Sequence, residues 1–600
     1  MAPFDLNSES LTAETVIQQL GDFSHIRSPA KCAARIGQAF SDSHSSIPID
    51  PSYVKHIAEV ITGNYTFSDG VGTFSPKLWS LIRKRSKQSH YPDPTLYQIR
   101  FRGAKGMISL DSRLKGYQLC LRPSMIKYEG SQFSDIEICG SALQPLPTRL
   151  NRQHIKILED LGVESRVFER LQEEAIQKLR AGASSSQSAI TFLQSSLANG
   201  ANQLPWLCKR LGDLDIDATE DAFILDILSA LIQVELKELK YRARIPVEKA
   251  VTLYGIMDES KMLGERQIYC TFSKNSTKTV VCGRVAVTRS PALHPGDVQV
   301  VDAVPVPAES PLACIHNCVV FSAQGARDLP SQLSGGDLDG DLYNVIYDSD
   351  LLPKRSFPPA EYTRASSQDI GRPVTTCDMT DFFLDFMKND QLGRIANLHQ
   401  ILADQLPDGT KSSKCLKLAA LHSTAVDFSK TGIPVDLKEI PRSPLFRPDF
   451  MAPGASTKVE KGILMRELMS QDPDETDPRG YRYYESEKVL GTLYRSIDEN
   501  AFFEALEDDA SSVFSKGSNC SVLEQVWRYV EMATPSVHWR TYLKAAAEIR
   551  DEYVNLIPPI SAKFLHKILK ANESSNKVST ATNRASSIPC LSMLSTAATI

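Results

Sequence analysis

Hydrophobic and polar positions alternate in two separate stretches of the chain, and this pattern predicts two β regions. Residues 53–128 contain short apolar runs interrupted by glycine turns, with one strand predicted at 97–101. Residues 245–347 show the same pattern, with strands predicted at 251–255, 267–272 and 284–288. The two regions could be a pair of related barrels, although the pattern alone does not establish that.

Helical periodicity separates and follows the two β regions. Apolar residues recur at helical spacing across residues 151–178, and two or three further helices are predicted up to about residue 241. From about residue 366 to 570 the chain is again predicted to be mainly helical. The last thirty residues are rich in Ser, Thr, Asn and Ala, so we expect them to be disordered.

These patterns predict an α+β protein with several domains, because 600 residues exceed what one hydrophobic core usually holds. The expected parts are an N-terminal segment (1–45), a first β domain (46–135), a helical connector (136–244), a second β domain (245–360), a mainly helical C-terminal domain (361–570) and a disordered tail (571–600).

Composition excludes some classes of protein. Hydrophobic residues make up 42% and charged residues 23% of the chain, which is ordinary for a globular protein. No stretch approaches the roughly 20 apolar residues of a transmembrane helix, and the first residues lack a signal-peptide pattern. Twelve scattered cysteines suit a reducing compartment. We therefore expect an intracellular protein without membrane partners, with nuclear and cytoplasmic residence both open.

Positive charge is concentrated in one stretch of an otherwise acidic chain. The net charge is −5, yet residues 77–127 contain twelve Lys or Arg against two Asp. Aromatic residues are interleaved with these cations, a combination that suits a phosphate backbone or a triphosphate. The alternative is a solvated basic face, which is the better interpretation of the run at 83–87.

The candidate chemistry lies in an acidic cluster that follows Ser334, Gly335 and Gly336. Asp337, Asp339 and Asp341 are spaced by two, so in an extended segment their side chains would point to one side. Like charges held together raise one another's pKa unless a cation neutralises them. Mg²⁺ is the natural candidate, with Mn²⁺ as a substitute, and Gly340 would allow a sharp turn between the acids. The cluster indicates a metal-assisted phosphoryl or nucleotidyl transfer site.

Two other interpretations of the cluster stay open at this point. An Asp run among Gly and Ser is often a solvated turn. A calcium loop of the EF-hand type is the second, but Leu342 replaces the required Gly, Asp348 replaces the bidentate Glu, and a strand is predicted next. Residues 213–217 repeat the spacing without a Gly, and they are interpreted as a polar loop before a helix.

Three further polar motifs are predicted to be structural. Cys314, His316 and Cys318 resemble a zinc motif, but no second ligand pair follows and a buried strand is predicted there. His294 precedes Pro-Gly and is predicted to stabilise a turn. Asp258 is predicted to lie in a loop and not to bind metal.

Residues 334–341 resemble the signature of the cellular RNA-dependent RNA polymerases of RNA silencing. Further blocks agree in order, at 31–38, 68–72, 102–106, 121–125, 151–153, 289–297, 389–393 and 425–432. The resemblance runs from about residue 30 to 560. One block would be weak evidence, whereas many in the same order are specific.

The resemblance implies a catalytic core of two double-psi β-barrels, linked and followed by helical domains. It implies that Asp337, Asp339 and Asp341 are catalytic and bind Mg²⁺. It also implies that Arg102, Lys105 and Arg289 bind the nucleotide substrate.

The resemblance further implies that single-stranded RNA is copied into complementary RNA for silencing. The partners would be an RNA template, nucleoside triphosphates, silencing proteins of the Dicer and Argonaute type, and a second copy in a homodimer. Family members usually carry several hundred residues before the block at 31–38, whereas thirty precede it here. A catalytically inactive, truncated RNA-binding scaffold is therefore the alternative. A subunit of a DNA-dependent RNA polymerase is less favoured, because both barrel signatures lie on one chain.

Overall fold

The computed structural model describes most of the chain and divides it into two compact units, Met1–Ser518 and Asn519–Ile600. The described residues are 4–6, 9–38, 44–85, 93–131, 134–182, 185–195, 204–214, 216–218, 221–274, 277–362, 366–454, 457–462, 480–505, 522–534, 543–548 and 551. The predicted disordered tail, residues 571–600, lies outside them.

Twenty-two strands are described in chain order. They are β1 (Phe4–Leu6), β2 (Glu9–Leu11), β3 (His44–Pro48), β4 (Val54–His56), β5 (Ile61–Thr62), β6 (Tyr65–Thr66), β7 (Val71–Phe74), β8 (Leu96–Phe101), β9 (Ala104–Leu110), β10 (Leu119–Leu121), β11 (Asp135–Ser141), β12 (Leu146–Arg149), β13 (Pro246–Met257), β14 (Gln267–Lys274), β15 (Thr277–Val281), β16 (Gly283–Arg289), β17 (Val298–Ala303), β18 (Cys318–Phe321), β19 (Leu342–Ile346), β20 (Phe446–Pro448), β21 (Val459–Glu460) and β22 (Arg482–Tyr484).

The helices of the described residues fall mainly between and after the β regions. They are α1 (Ala13–Leu20), α2 (Pro29–Gln38), α3 (Pro76–Arg85), α4 (Arg152–Asp160), α5 (Ser165–Ala181), α6 (Ser186–Ser195), α7 (Leu204–Gly212), α8 (Ala222–Arg242), α9 (Leu329–Gln332), α10 (Thr376–Asn389), α11 (Leu392–Gln405), α12 (Ser413–Thr431), α13 (Val489–Arg495) and, in the second unit, α14 (Val522–Ala533). None of these helices combines the length and the apolar character that crossing a membrane requires.

The first β region forms a seven-stranded mixed sheet in the order β3-β11-β8-β9-β7-β10-β4. The pairs β7–β9 and β10–β4 are parallel, and the other neighbours are antiparallel. Strand β8 contains the predicted strand at 97–101. Strand β11 extends to Ser141, so it crosses the expected boundary at residue 135.

The second β region closes on itself. Strand β13 pairs with β18, then β14, β17, β16 and β19 follow, and β19 pairs back with β13, which makes a six-stranded barrel. Its strands contain the three predicted at 251–255, 267–272 and 284–288. Strand β12, within the expected helical connector, pairs with β13 and so belongs to this sheet.

The two β regions pack together through one buried cluster, and the first region also has a core of its own that includes Phe74 and Ile99. Phe67, Val71, Leu96 and Met107 of the first region belong to the same buried cluster as the barrel residues. Burying this much apolar surface between the two sheets fixes their relative position within the first unit. The last strand of the barrel, β19, is thereby held facing the first sheet.

The C-terminal part of the first unit is helical with one small exception. Helices α11 and α12 pack through buried apolar residues that include Leu398 and Leu418, and α12 also packs on α2. Three short parallel strands, in the order β20-β22-β21, interrupt the helices. The sequence pattern did not predict this sheet, because strands of two or three residues are too short to show an alternation.

Candidate active site

The acidic cluster lies in the loop between α9 and β19, directly before the last strand of the barrel. The expected extended segment is wrong in its local form, because residues 338–340 bend and strand β19 begins only at Leu342. Leu338 is 1% exposed and anchors the loop in the shared core. The loop nevertheless brings together one carboxylate oxygen each of Asp337, Asp339 and Asp341, all within 4.8 Å of one another. These three residues are called the acidic triad below.

Two glycines allow the acidic loop to approach the first sheet. Gly340 has φ of 130°, and a Cβ on it would lie 1.9 Å from Nε2 of Gln98, which donates to the Asp339 carbonyl at 3.1 Å. Gly70 has φ of 86°, and a Cβ on it would lie 2.5 Å from the Asp339 Cβ. Larger residues would therefore separate the loop from the first sheet.

Two cations bind the acidic triad, one from each β region. Lys105 on β9 places Nζ 2.8 Å from Oδ2 of Asp339. Arg289, the last residue of β16, places Nε 2.7 Å from Oδ2 of Asp341 and donates from Nη2 to Oδ1 at 3.1 Å. Burial is the largest single influence on Asp339 and raises its pKa, but the charge and hydrogen bond of Lys105, together with the charge of Lys127, outweigh it, so the pKa lies below its ordinary value. The structure thus brings Lys105 and Arg289 to the triad.

Arg102 stands apart from these residues. It occupies the turn between β8 and β9 with φ of 47°, and its side chain is exposed. It is not among the residues that line the cavity described next. Its role in substrate binding stays a prediction.

A cavity of about 800 Å³ opens over the acidic triad. Among the cations that line it are Lys31, Arg35, Lys127 and Lys430, which we call the basic wall. Helix α2 carries the first two, and α12, which packs on α2, carries the last. The basic wall and the three carboxylates of the triad therefore line the same cavity.

Arg35 and Lys127 of the basic wall interact electrostatically with Asp339. Burial lowers the pKa of Lys127, and the charge of Arg35 lowers it further. Lys127 donates to the Ser124 carbonyl, and Arg35 donates to Oε1 of Gln38 at 3.5 Å. Sequence reasoning did not assign them. Two sequence features could have indicated them: the block at 31–38 contains Arg35, and Lys127 is the last cation of the basic stretch.

Asp297 is another residue that sequence reasoning did not assign to the site. It is completely buried, and burial raises its pKa to about 6. One carboxylate oxygen accepts from the Ser334 amide at 3.2 Å and from the Tyr362 hydroxyl, and the other accepts from two amides, one of them that of Leu293 at 3.0 Å. Asp297 therefore anchors the start of the acidic loop.

The structure decides between the alternatives for the acidic motifs. No helix leaves the acidic loop, since strand β19 follows it, and Asp348 instead accepts from the Asp350 amide in a short turn. The interpretation as an EF-hand calcium loop is therefore wrong. The solvated turn is also wrong, because the triad is only partly exposed and faces a cavity. Of the run at 213–217, residue 215 lies outside the described residues.

The three motifs predicted to be structural make contacts that fit this role. His316 bonds through Nε2 to the Asp93 carbonyl at 3.0 Å, and Cys318 lies in the buried strand β18. Within the described ranges, the acidic triad is the only group found that could hold a metal ion. His294 accepts from the Gly296 amide at 3.0 Å, and Asp258 accepts from the amide of Ser260 at 2.8 Å.

Comparison with known proteins identifies the family. The family model described as RdRP, RNA dependent RNA polymerase, matches residues 1–497. The probable RNA-dependent RNA polymerase 1 of Oryza sativa subsp. japonica is 33% identical over 506 residues, which cover 82% of this chain and 62% of the relative. The RNA-dependent RNA polymerase 1 of Schizosaccharomyces pombe is 33% identical over 599 residues, which cover 94% of this chain and 45% of the relative. The chain spans about half the length of the curated relatives it matches.

A solved structure shares the fold. The RNA dependent RNA polymerase QDE-1 from Thielavia terrestris matches with a TM-score of 0.66 at 18% identity, over 93% of this chain and 66% of that one. Together with the family match over most of the chain, the acidic triad and its surroundings lead to one conclusion. The chain belongs to the RNA-dependent RNA polymerase family.

Proposed function

We propose that the chain is the catalytic part of an RNA-directed RNA polymerase that copies single-stranded RNA into complementary RNA. The observation that carries the proposal is the convergence of the acidic triad, within 4.8 Å, on a cavity that also contains Lys105 and Arg289. Carboxylates that can hold a metal ion and cations that can stabilise phosphate oxygens meet there, and nucleotidyl transfer uses both kinds of group.

The fold supports a more specific architecture, in which each β region is a double-psi barrel. The second region closes as six strands through the β13–β19 pairing. The first also combines parallel and antiparallel pairs. Lys105 lies on β9, which pairs with β7 in parallel and with β8 in antiparallel orientation. Two related barrels that face each other would give the triad and Lys105 their opposed positions.

The triad fits a hard divalent cation. Its ligand atoms are all oxygens, the donor type that Mg²⁺ and Mn²⁺ prefer, and their separations allow one ion to reach all three. When bound, such ions would supply charge stabilisation and would lower the pKa of the attacking 3′-hydroxyl. The residues that would hold them are Asp337, Asp339 and Asp341.

The remaining groups of the cavity suit the substrate's phosphates. Lys105 is a compact charge and Arg289 a planar fork, both suited to oxygen anions that develop during transfer. The basic wall would bind the triphosphate and the neighbouring RNA backbone. Because a template selects bases by pairing, the protein needs contacts to backbone and shape and little base preference.

The substrates in this proposal are a single-stranded RNA template and nucleoside triphosphates. The product, double-stranded RNA, would enter gene silencing. Dicer- and Argonaute-type proteins and a second copy of the chain are the partners that the family resemblance suggests.

The test is incorporation of labelled nucleotides on a defined single-stranded RNA with Mg²⁺. We expect template-length product from the wild type and none from Asp339→Asn, while Asp213→Asn, in the run with the same spacing, stays active. An RNA-binding scaffold would shift the RNA in a gel and incorporate no nucleotide. That result would contradict the proposal.

A further inference from the structure

An ion pair between a buried arginine and a partly buried glutamate joins the two β regions near the acidic loop. Arg122, directly after β10, is 2% exposed, and its guanidinium donates to both carboxylate oxygens of Glu259 at 2.9 Å. Glu259 lies in the turn that follows β13 of the barrel. The contact is a bidentate, charge-assisted link between the first sheet and the barrel.

The turn that carries Glu259 is fixed by its neighbour. Asp258 is completely buried, and its two oxygens accept from the amides of Ser260 and Leu263, both at 2.8 Å. The turn therefore has little freedom, and the position of Glu259 is set by the barrel.

Arg122 also binds the backbone of the first sheet. Its Nη1 donates to the Val71 carbonyl at 2.7 Å, and its Nε donates to the Ala58 carbonyl at 3.2 Å. Val71 begins β7, directly after Gly70. The guanidinium thus connects the barrel turn, through Glu259, to the start of β7.

The start of β7 is the part of the first sheet that contacts the acidic loop. The Asp69 carbonyl accepts from the Leu338 amide at 2.8 Å. The Gly70 Cα packs against Asp339, where an added Cβ would clash. Any displacement of β7 would therefore move Leu338 and Asp339.

The segment after Arg122 is hydrogen-bonded to the same region. The Gly70 amide donates to Oγ of Ser124 at 2.9 Å, and the Ser124 amide donates to Oε1 of Glu59 at 2.7 Å. Lys127 of the basic wall donates to the Ser124 carbonyl. One hydrogen-bonded unit therefore contacts both the acidic loop and the basic wall.

We propose that Arg122 and Glu259 act together as positioning residues that hold the start of β7 against Asp339. Neither lines the cavity, so neither would touch substrate. This inference rests on the proposed function, since the reaction whose geometry they set is nucleotidyl transfer. A displacement near 1 Å at a reacting group can cost about a hundredfold in rate.

The variants are Glu259→Ala, Glu259→Gln, Arg122→Ala and the double Arg122→Ala/Glu259→Ala. The matched control is Glu235→Ala, which breaks another arginine–glutamate pair, Arg149–Glu235 at 2.7 Å, between β12 and α8. All are assayed at a temperature at which circular dichroism shows every variant folded.

We expect Glu259→Ala to lower kcat by about 10- to 100-fold with little change in KM for nucleotide. Glu259→Gln, which keeps one acceptor for Arg122, should recover part of kcat. Because the two residues act as a unit, the double variant should lose no more than the single variant with the larger loss. Glu235→Ala should lower only the melting temperature. Unchanged kcat in Glu259→Ala, or single losses that multiply in the double variant, would overturn the inference.

A measurement without turnover separates this inference from the proposed function. Mn²⁺ affinity, followed by electron paramagnetic resonance, should fall about tenfold in Glu259→Ala and stay unchanged in Glu235→Ala. A wild type that binds Mn²⁺ but incorporates no nucleotide would refute the proposed function, while the affinity difference would still support the positioning role. Equal affinities in both variants would refute the positioning role.

Discussion

Lys105 and Asp339 join the two β regions beneath the cavity, with the Lys105 Nζ 2.8 Å from Oδ2 of Asp339. The two residues are more than two hundred positions apart in the chain. Their side chains are 25% and 19% exposed, so the pair is partly shielded from solvent. Lys105 thereby holds one acid of the triad, and both residues line the cavity.

Replacing Lys105 by Met should remove this charge and keep most of the volume. We expect kcat for nucleotide incorporation to fall about 100-fold, because one preorganised donor to developing negative charge is lost. Lys115→Met, an exposed lysine of the same basic stretch, is the control and should be near wild type. Equal effects of the two substitutions would contradict a specific role for Lys105.

Gly340→Ala should separate the acidic loop from the first sheet. The substitution combines a backbone conformation that costs about 1–3 kcal/mol with a clash against the Gln98 amide. Gly116→Ala is the control, because φ is 75° there and no atom lies within 4 Å of the added Cβ. We expect Gly340→Ala to abolish activity and Gly116→Ala to reduce only the melting temperature.

A compensating change sharpens that experiment. Gln98→Ala removes the atoms that the new Cβ would meet, so the double variant Gly340→Ala/Gln98→Ala should regain part of the lost stability. Absence of any recovery would show that the backbone conformation alone, and not the contact with β8, requires glycine.

The acidic triad was predictable from the sequence, whereas its surroundings were not. The spacing of Asp337, Asp339 and Asp341 is local information, and the glycine between them is visible beside it. The local form was still predicted wrongly, because a bend and not a strand brings the carboxylates together. The approach of Gly70 to Asp339 depends on how two sheets share a core, which no local pattern contains.

The same distinction explains which cations were found. Lys105 and Arg289 were assigned through the family resemblance and lie at the triad. Arg35 and Lys127 were not assigned, because they reach the cavity only through the packing of α2 and the turn after β10. The partnership of Arg122 with Glu259 links two motifs 137 positions apart. Neither motif indicates the other.

Arg35→Met should weaken nucleotide binding more than catalysis. A charged hydrogen bond to phosphate contributes about 1.5–3 kcal/mol, so KM for nucleotide should rise about 10- to 100-fold with a smaller change in kcat. Lys84→Met, on the exposed side of α3, should leave KM unchanged. The measurement is initial rate against nucleotide concentration at fixed ionic strength. An unchanged KM in Arg35→Met would exclude the basic wall from nucleotide binding.

Buried histidines should make the protein sensitive to acid. Burial lowers the pKa of His294 and of His422 to about 4 and that of His399 to about 3. Between the ordinary value near 6.5 and these lowered values, the unfolded chain binds more protons than the folded one. Stability is therefore complete above about pH 6.5 and falls as pH drops, by about 2 kcal/mol per histidine at pH 5.

His399→Gln tests this pH dependence, because His399 is 3% exposed and glutamine carries no charge at any of these pH values. We expect the decrease in melting temperature between pH 7.5 and pH 5 to be smaller in the variant than in the wild type. His25→Gln, an exposed histidine, is the control. An identical decrease in wild type and His399→Gln would contradict burial of a neutral His399.

The most direct test of the account is a Mn²⁺ titration of the folded protein, followed by electron paramagnetic resonance, with Asp339→Asn and Asp213→Asn as a matched pair. The acidic triad should bind Mn²⁺ in the wild type and in Asp213→Asn, and Mg²⁺ should compete for the site. Asp339→Asn should lose at least tenfold in affinity, since one of three charged ligands is gone. If Asp339→Asn binds Mn²⁺ as tightly as the wild type does, the triad is not the metal site. That result would contradict the central claim.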